Sequence, residues 1–497
     1  MATKKGNEVE GFERESVLLD FAKITELIVK DLNINTTQRN QQYTRDNVAT
    51  YLSNPIRYAK NLQGISAYLY NNSPVYRRLV NYYARMATLD HYIEPYGIDF
   101  SKSINERTLR NSFHKTLELV DLMNIKHEFG KALVSAWKLG TFYGYELYTK
   151  DTYFIMELPY EYCQISGIMD GVFTFSFDMT YFERNQHQLE YYPKEIVKMF
   201  NAYQNGSKPR WQEIDPSRSV CIKIDENNHY DLPPFVGIFA DIFDLEDYKS
   251  VRKTSTALEN YKFIVEKIPI RKDSEKNNDF LVDLSTVGMF HNKTANLLPD
   301  EIGIFSTPFE VETIEFKKDT SDKDIVQEAL NSLYDSAGTS RMLFNGSKLS
   351  QSNLSKSINV DEAEVFAVLR QLERIITGKI KNNIKGTYKF RLKFLDKTIF
   401  NKKEVNDELI KANQYGVPLK SVLSVSLGLS QSSIESMAYL ENNILGLSDM
   451  FIPLSSSHTQ SGGSPSENDN GRPLKEDDEL SEKGEEQRDR EDNLERE

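Results

Sequence analysis

The chain has 497 residues, of which 39% are hydrophobic and 27% charged, and a formal charge of −13. That length allows roughly two to four domains, each with its own core. Residues 465–497 hold 14 acidic against 6 basic residues, a net −8, which leaves −5 for everything else; this mildly acidic remainder argues against a protein that grips nucleic acid by counterion release.

No run of 18 apolar residues occurs, so no membrane-spanning helix is expected. The opening Met1-Ala-Thr-Lys-Lys-Gly-Asn-Glu8 lacks the apolar core of a secretory signal. Two cysteines, Cys163 and Cys221, in so long a chain point to a reducing compartment and to buried small apolar residues, not to a disulfide framework.

Residues 1–42 are polar apart from one amphipathic stretch, 17–32, with Val17, Leu18, Phe21, Ile24, Ile28 and Leu32 at helical spacing. Thr44 stands where a helix cap is wanted. Helices are predicted over 57–70 and 74–89, the second opening on Pro74. That second helix interleaves Tyr76, Tyr82 and Tyr83 with Arg77, Arg78 and Arg85. The pattern suits nucleic-acid binding, and equally an amphipathic helix with tyrosines half buried and arginines outside.

Helices follow over 105–122 and 125–138. Strands are predicted from Gly140, then over 153–158, 162–169, 172–178 and 219–224, with a hairpin turn at Asp170-Gly171 and a short helix from Pro193. Asp231-Leu-Pro-Pro-Phe235 closes this α+β region, because two prolines fit neither a helix interior nor a central strand.

A long helix is predicted over 241–267, about 40 Å at 1.5 Å per residue, ended by Pro269. Short strands at 280–284, 287–290, 302–305 and 309–316 make a small strand subdomain. A helix over 319–336, a Gly/Ser-rich loop over 336–357 and another helix over 361–384 follow. Asp361, Glu362 and Glu364 are expected to be solvated charges at that last helix's start. Tyr388–Phe394 alternates apolar and basic residues and should pair with the N-terminal sheet. Helices over 401–414, 419–427 and 430–445 complete the ordered part, the last with a Ser432-x-x-Glu435 capping box. Residues 455–497 have the composition of a disordered tail.

Enzyme signatures are missing. There is no G-x-x-x-x-G-K-[ST], since Gly346-Ser-Lys348 has the wrong spacing, and His127-Glu128 lacks a second histidine. The cysteines lie 58 positions apart, so no zinc spacing appears. No catalytic residue, cofactor or metal site is expected.

The order of elements over 231–384, with the loop "SAGTSRMLFNGSKLS", resembles the portal proteins of tailed double-stranded-DNA phages of the Gram-positive-host siphophage type. Asn54–Gly97 looks like that family's first helices and the turn into its wing. The resemblance spans roughly 43–447.

It implies an α+β architecture with an N-terminal arm (1–42), a wing (43–235), stem helices (236–267 and 319–335), a clip (268–318), a tunnel loop (336–357), a long channel helix (358–386), a returning wing strand (387–400), a helical crown (401–454) and an acidic tail (455–497). It implies a dodecameric ring at the unique capsid vertex of the virion. Its partners would be the terminase large subunit, a head–tail adaptor, the major capsid and scaffolding proteins, and double-stranded DNA in non-specific transit. Lys348, Lys356, Ser347, Asn345 and Arg341 would be the channel-facing residues. A near-neutral channel wall suits sliding DNA. Two other readings stay open: a metal-dependent nucleic-acid-processing enzyme with an acidic site, and a cytoplasmic adaptor that forms no channel.

Overall fold

In the computed structural model, residues 43–99, 101, 103–260, 262–271, 273, 280–297, 302–307, 325–339 and 351–450 are described. The amphipathic stretch 17–32, the expected strand 309–316 and the tail 455–497 lie outside them. The chain divides into a main unit running to Ile434 and a second from Glu435.

The main unit begins with three helices, α1 (Arg45–Leu52), α2 (Ala59–Asn72) and α3 (Pro74–Ala84). Thr44 caps α1 by accepting from the Asn47 N–H. Ser73 does the same for α3 from Tyr76, with Pro74 in the first turn. The tyrosine–arginine helix is amphipathic as read: Tyr76 and Tyr83 are buried, while Arg77, Arg78 and Arg85 are exposed. It ends at Ala84, five residues sooner than predicted. The chain then enters an unpredicted strand, β1 (His91–Tyr96).

Helices α4 (Glu106–Leu122) and α5 (Ile125–Leu139) follow, then β2 (Thr141–Tyr148), β3 (Tyr153–Glu157), β4 (Cys163–Met169) and β5 (Val172–Asp178). Gly140 joins α5 to β2 at φ +85°, and a Cβ there would stand 2.0 Å from the Leu232 carbonyl oxygen. Only glycine meets both demands. Asp170 and Gly171, at φ +53° and +74°, make the tight turn between β4 and β5.

A short turn of helix, α6 (Tyr181–Arg184), then α7 (Lys194–Gln204), β6 (Trp211–Glu213) and β7 (Ser219–Lys223) complete the region. Two antiparallel sheets result, with orders β3-β2-β7 and β4-β5-β6. Between them and α6 and α7 lies an aromatic core of Tyr143, Phe175, Phe177, Phe182 and Phe200. Cys163 and Cys221 sit in it as free, fully buried thiols.

After the Pro233-Pro234 stop comes α8 (Phe239–Asn260). It is shorter than the predicted 241–267 helix, because Lys262–Lys267 is a strand, β8. β8 pairs in parallel with β9 (Ile302–Thr307), and α9 (Leu284–Ala295) lies between them in sequence. The expected strand 287–290 is therefore helical, and 280–284 contributes only a bridge from Phe280 to Ile270 before α9 starts. Short apolar runs do not distinguish strand from buried helix by periodicity, and Asp283 at the cap position together with Lys293 in the last turn favours the helix.

α10 (Ile325–Ser336) returns along α8. α11 (Gln351–Asn383) is the longest described helix, 33 residues or about 50 Å. It begins ten residues before the predicted 361 and takes in 351–357, so that part of the expected loop is helical. β10 (Lys389–Phe394) then pairs antiparallel with β1, His91 opposite Phe394, and not with the β2–β7 sheets as expected. β1 was the missing partner.

The largest core runs through α2, α3, α5, α8, α10 and α11 to β1 and β10; Leu62, Tyr76, Phe129, Phe239, Leu333, Leu372 and Ile376 are among its members. Helices α12 (Lys402–Gln414), α13 (Lys420–Ser426) and α14 (Gln431–Tyr439) follow. Ser430, not Ser432, precedes the first residue of α14. In the second unit a π-helical turn, Leu440–Ile444, leads to a short helix, Leu447–Met450.

Candidate functional site: a spine helix and a projecting stem

α11 is a spine, and polar side chains fasten it along its length. Asp361 accepts hydrogen bonds from the hydroxyls of Tyr82 at 2.9 Å and Tyr83 at 2.8 Å. The Thr398 hydroxyl donates to Glu362. Both carboxylates are buried, Asp361 to 3% exposure, which overturns their reading as solvated charges at a helix start. The helix begins ten residues earlier, so they fall mid-helix against α3 and the chain after β10. Burial pushes both carboxyls above their usual range. The same burial, with Asp361 alongside, drives the Tyr82 and Tyr83 hydroxyls upward, so they stay protonated donors.

Further along, the Gln371 amide pairs with the backbone of Lys223 on the free edge of β7. Glu373 accepts from Lys393 at 2.9 Å and from the Phe394 N–H at 2.9 Å, and pairs with Arg370 at 2.7 Å. Arg374 donates to the Gly171 carbonyl at 3.0 Å, holding the β4–β5 turn. Thr377 accepts the Leu392 N–H. Lys379 forms an ion pair with Glu146 on β2 at 2.9 Å, both side chains almost wholly buried. Its Nζ also donates to the carbonyls of Ser217 and Ser219. Burial pulls Lys379 down and pushes Glu146 up, and their mutual attraction opposes both shifts.

These ties leave α11 little freedom to slide or roll on the sheets. A helix held only by leucines can shift by a ridge, whereas one held by buried charges cannot shift without stranding them. The arrangement suits transmission of force. It offers no nucleophile with an adjacent base: the two thiols are interior, and burial raises both well above the usual thiol range.

The second feature is the stem. α8 is anchored through Ile242 and Leu245, both buried, and by Arg45 bonded to Asp244 at 2.9 Å. From Glu246 to Thr254 every residue is exposed, Tyr248 and Val251 included. The excursion beyond it repeats this, with Met289 at 61%, Phe290 at 60% and Leu297 at 78% exposure. Such a run of apolar surface on a projecting element marks an interaction face.

Of the predicted site residues, Lys356 is exposed in the first turns of α11. Arg341, Asn345, Ser347 and Lys348 fall outside the described residues, so the five are not brought together. The anchors Gln371, Glu373 and Lys379 were missed. A signal exists: Gln371, Ile375 and Lys379 share one stripe at four-residue spacing, so two long polar side chains interrupt an apolar row. No helix among the described residues is long and apolar enough to cross a membrane.

No family model matches the chain, and no curated protein matches it. Among solved structures, it is similar to a chain of the virion of a native gene transfer agent particle, at TM-score 0.41 and 13% identity over 75% of this chain and 93% of that one. It is also similar to a chain of the neck of an empty gene transfer agent particle, at TM-score 0.38 and 13% identity over 75% and 94%.

Proposed function

We propose that the chain is a portal-type subunit of a tailed phage of a Gram-positive host: a structural protein whose copies close into a ring at one capsid vertex and pass double-stranded DNA during packaging and ejection. The observation that carries this reading is the stem. α8 leaves the core after Leu245, exposes apolar side chains on its outer half, and leads into a βαβ excursion whose apolar residues are also exposed. The chain then returns along α10 and enters the spine. A projection of this kind cannot bury its apolar surface within one copy, and repeated side-by-side packing of copies would cover it.

The spine supports the same reading. A helix fixed by buried ion pairs and hydrogen bonds at both ends carries load between the stem side, near Lys356, and the sheets. In this proposal the excursion meets the terminase and the head–tail adaptor, 336–350 and the start of α11 face the DNA, and the helices after Asn401 face the capsid interior. The ring itself hydrolyses nothing.

Negative-stain imaging with native mass measurement tests the proposal. Closed rings with a central hole, at a multiple of 57.4 kDa, are expected. A monomer that stays monomeric with capsid scaffold present, and that cleaves nucleic acid in a metal-dependent way, would overturn it in favour of an enzyme.

A further inference from the structure

The outer face of α5 and β3, with the loops that follow β3 and α6, forms a cleft of about 570 Å³. Its walls are largely aromatic, from Phe154, Tyr160, Tyr181, Tyr191 and Tyr192. The charges at its edge are matched within the fold. Glu128 pairs with Lys131 at 2.8 Å and accepts the Ile155 N–H, and Lys131 lies 4.8 Å from the centre of the Phe154 ring. A groove of rings with few polar demands receives a row of aliphatic side chains, as grooves that take amphipathic helices do.

The start of the described chain stands at the rim of this cleft. The Tyr43 hydroxyl lies 2.8 Å from where a Cβ on Gly64 would be, and the Tyr160 hydroxyl 3.8 Å from the same point. The Tyr43 ring also packs edge-on against Tyr68, with centroids 5.5 Å apart. Gly64 thus leaves room for Tyr43 beside one wall of the cleft. The chain preceding Tyr43 therefore sets out from that wall.

Within the preceding 42 residues, the apolar row is Val17, Leu18, Phe21, Ile24, Ile28 and Leu32. As a helix this stretch would be about 24 Å long. The intervening residues 33–42 span up to about 35 Å when extended, more than the tether requires. We infer that residues 17–32 dock as an amphipathic helix in this aromatic cleft of their own chain, laying Phe21, Ile24 and Ile28 against the rings. The N-terminal arm is then a strap across the outer side of the sheet region. This is independent of whether copies form a ring.

A photoreactive benzoylphenylalanine at Ile28 of the full-length protein tests the docking, with the same group at Lys30, on the opposite helical face, as control. Cross-links from position 28 to peptides 153–160 or 181–192 are expected, with at least fivefold fewer from position 30. In a mixture of isotopically heavy and light protein, those links should join residues of one copy. In parallel, the Ile24→Asp, Ile28→Asp double variant should speed amide exchange at least tenfold across 154–160 and leave β7 unchanged. Links that map elsewhere, links that join heavy to light copies, or exchange that does not change in the variant would each overturn the inference.

Discussion

Gln371 pairs with Lys223 as a neighbouring strand would. Its Oε1 accepts the Lys223 N–H at 2.8 Å and its Nε2 donates to the Lys223 carbonyl at 3.1 Å. β7 is the outer strand of its sheet, so the helix supplies from one side chain what a further strand would supply from its backbone. Gln431 repeats the device on β1, taking the Ile93 N–H at 2.7 Å and returning a bond to its carbonyl at 3.3 Å. On the far side of the two-stranded sheet, Thr377 and Glu373 accept from Leu392 and Phe394 of β10. Edges closed this way cannot add a strand from another chain.

Gln371→Ala leaves two buried backbone groups of Lys223 without partners. At about 1–3 kcal/mol for each group, the variant should lose about 2–4 kcal/mol, read as a lower urea midpoint with an unchanged slope. Gln431 is half-buried, and water can replace its amide, so Gln431→Ala should cost no more than about 1 kcal/mol. Equal losses at the two sites would show that edge closure is not what the amides contribute.

The Lys379–Glu146 pair makes a second, sharper demand. Lys379→Met strands a buried carboxylate and Glu146→Leu a buried ammonium, and each should cost about 3–5 kcal/mol. Replacing both removes the charges together, so the double variant should recover most of that loss. A denaturation double-mutant cycle measures the coupling. Strict additivity would mean that the two side chains act independently in spite of their 2.9 Å contact.

Acid stability turns on Asp90, which meets Lys126 and Lys397 at the start of β1. Burial alone would raise its carboxyl, but hydrogen bonds and charge from the two lysines outweigh this and hold it below the usual range. A depressed folded value means the stabilisation is complete above the unfolded aspartate value, about 3.9, and fades as pH falls through the folded one. Asp90→Asn should therefore flatten the fall in Tm between pH 5 and pH 2. At pH 7 it should cost about 3 kcal/mol, because Lys397, only 1% exposed, loses its counter-ion. An unchanged acid limb would place the sensitivity on other carboxylates.

Most elements that bury one face were legible in the sequence. The strands β2 to β5, the Asp170-Gly171 turn and helices α4, α5 and α12 agree with prediction to within a residue or two, because alternation and helical spacing report one-sided burial directly. Errors fell where burial was two-sided or supplied from far away. His91–Tyr96 carries a proline and no clean alternation, and it is a strand because β10, some 300 positions on, pairs with it. Lys262–Lys267 continues a helical apolar row, yet its pairing with β9 makes it a strand. The anchors on α11 were least visible. Asp361 and Lys379 look like surface charges until Tyr82, Tyr83 and Glu146 are placed opposite them.

The stem carries the remaining prediction. Tyr248 and Val251 are 43% and 63% exposed on the outer half of α8, clear of the core that ends at Leu245. Tyr248→Asp with Val251→Asp should leave the subunit's own unfolding within about 0.5 kcal/mol of the parent, as surface changes do. Assembly should respond very differently. Burying a side chain of this size contributes about 1.5–3 kcal/mol, and each 1.4 kcal/mol is about tenfold in affinity, so the double change should raise the concentration needed for assembly by at least tenfold. Phe290→Asp, on α9, should act in the same direction. Sedimentation velocity across a dilution series reads both quantities from one sample set. If the doubly substituted protein assembles at the parent's concentration, the outer half of α8 is not where copies meet, and the exposed residues of the excursion must be covered by some other contact.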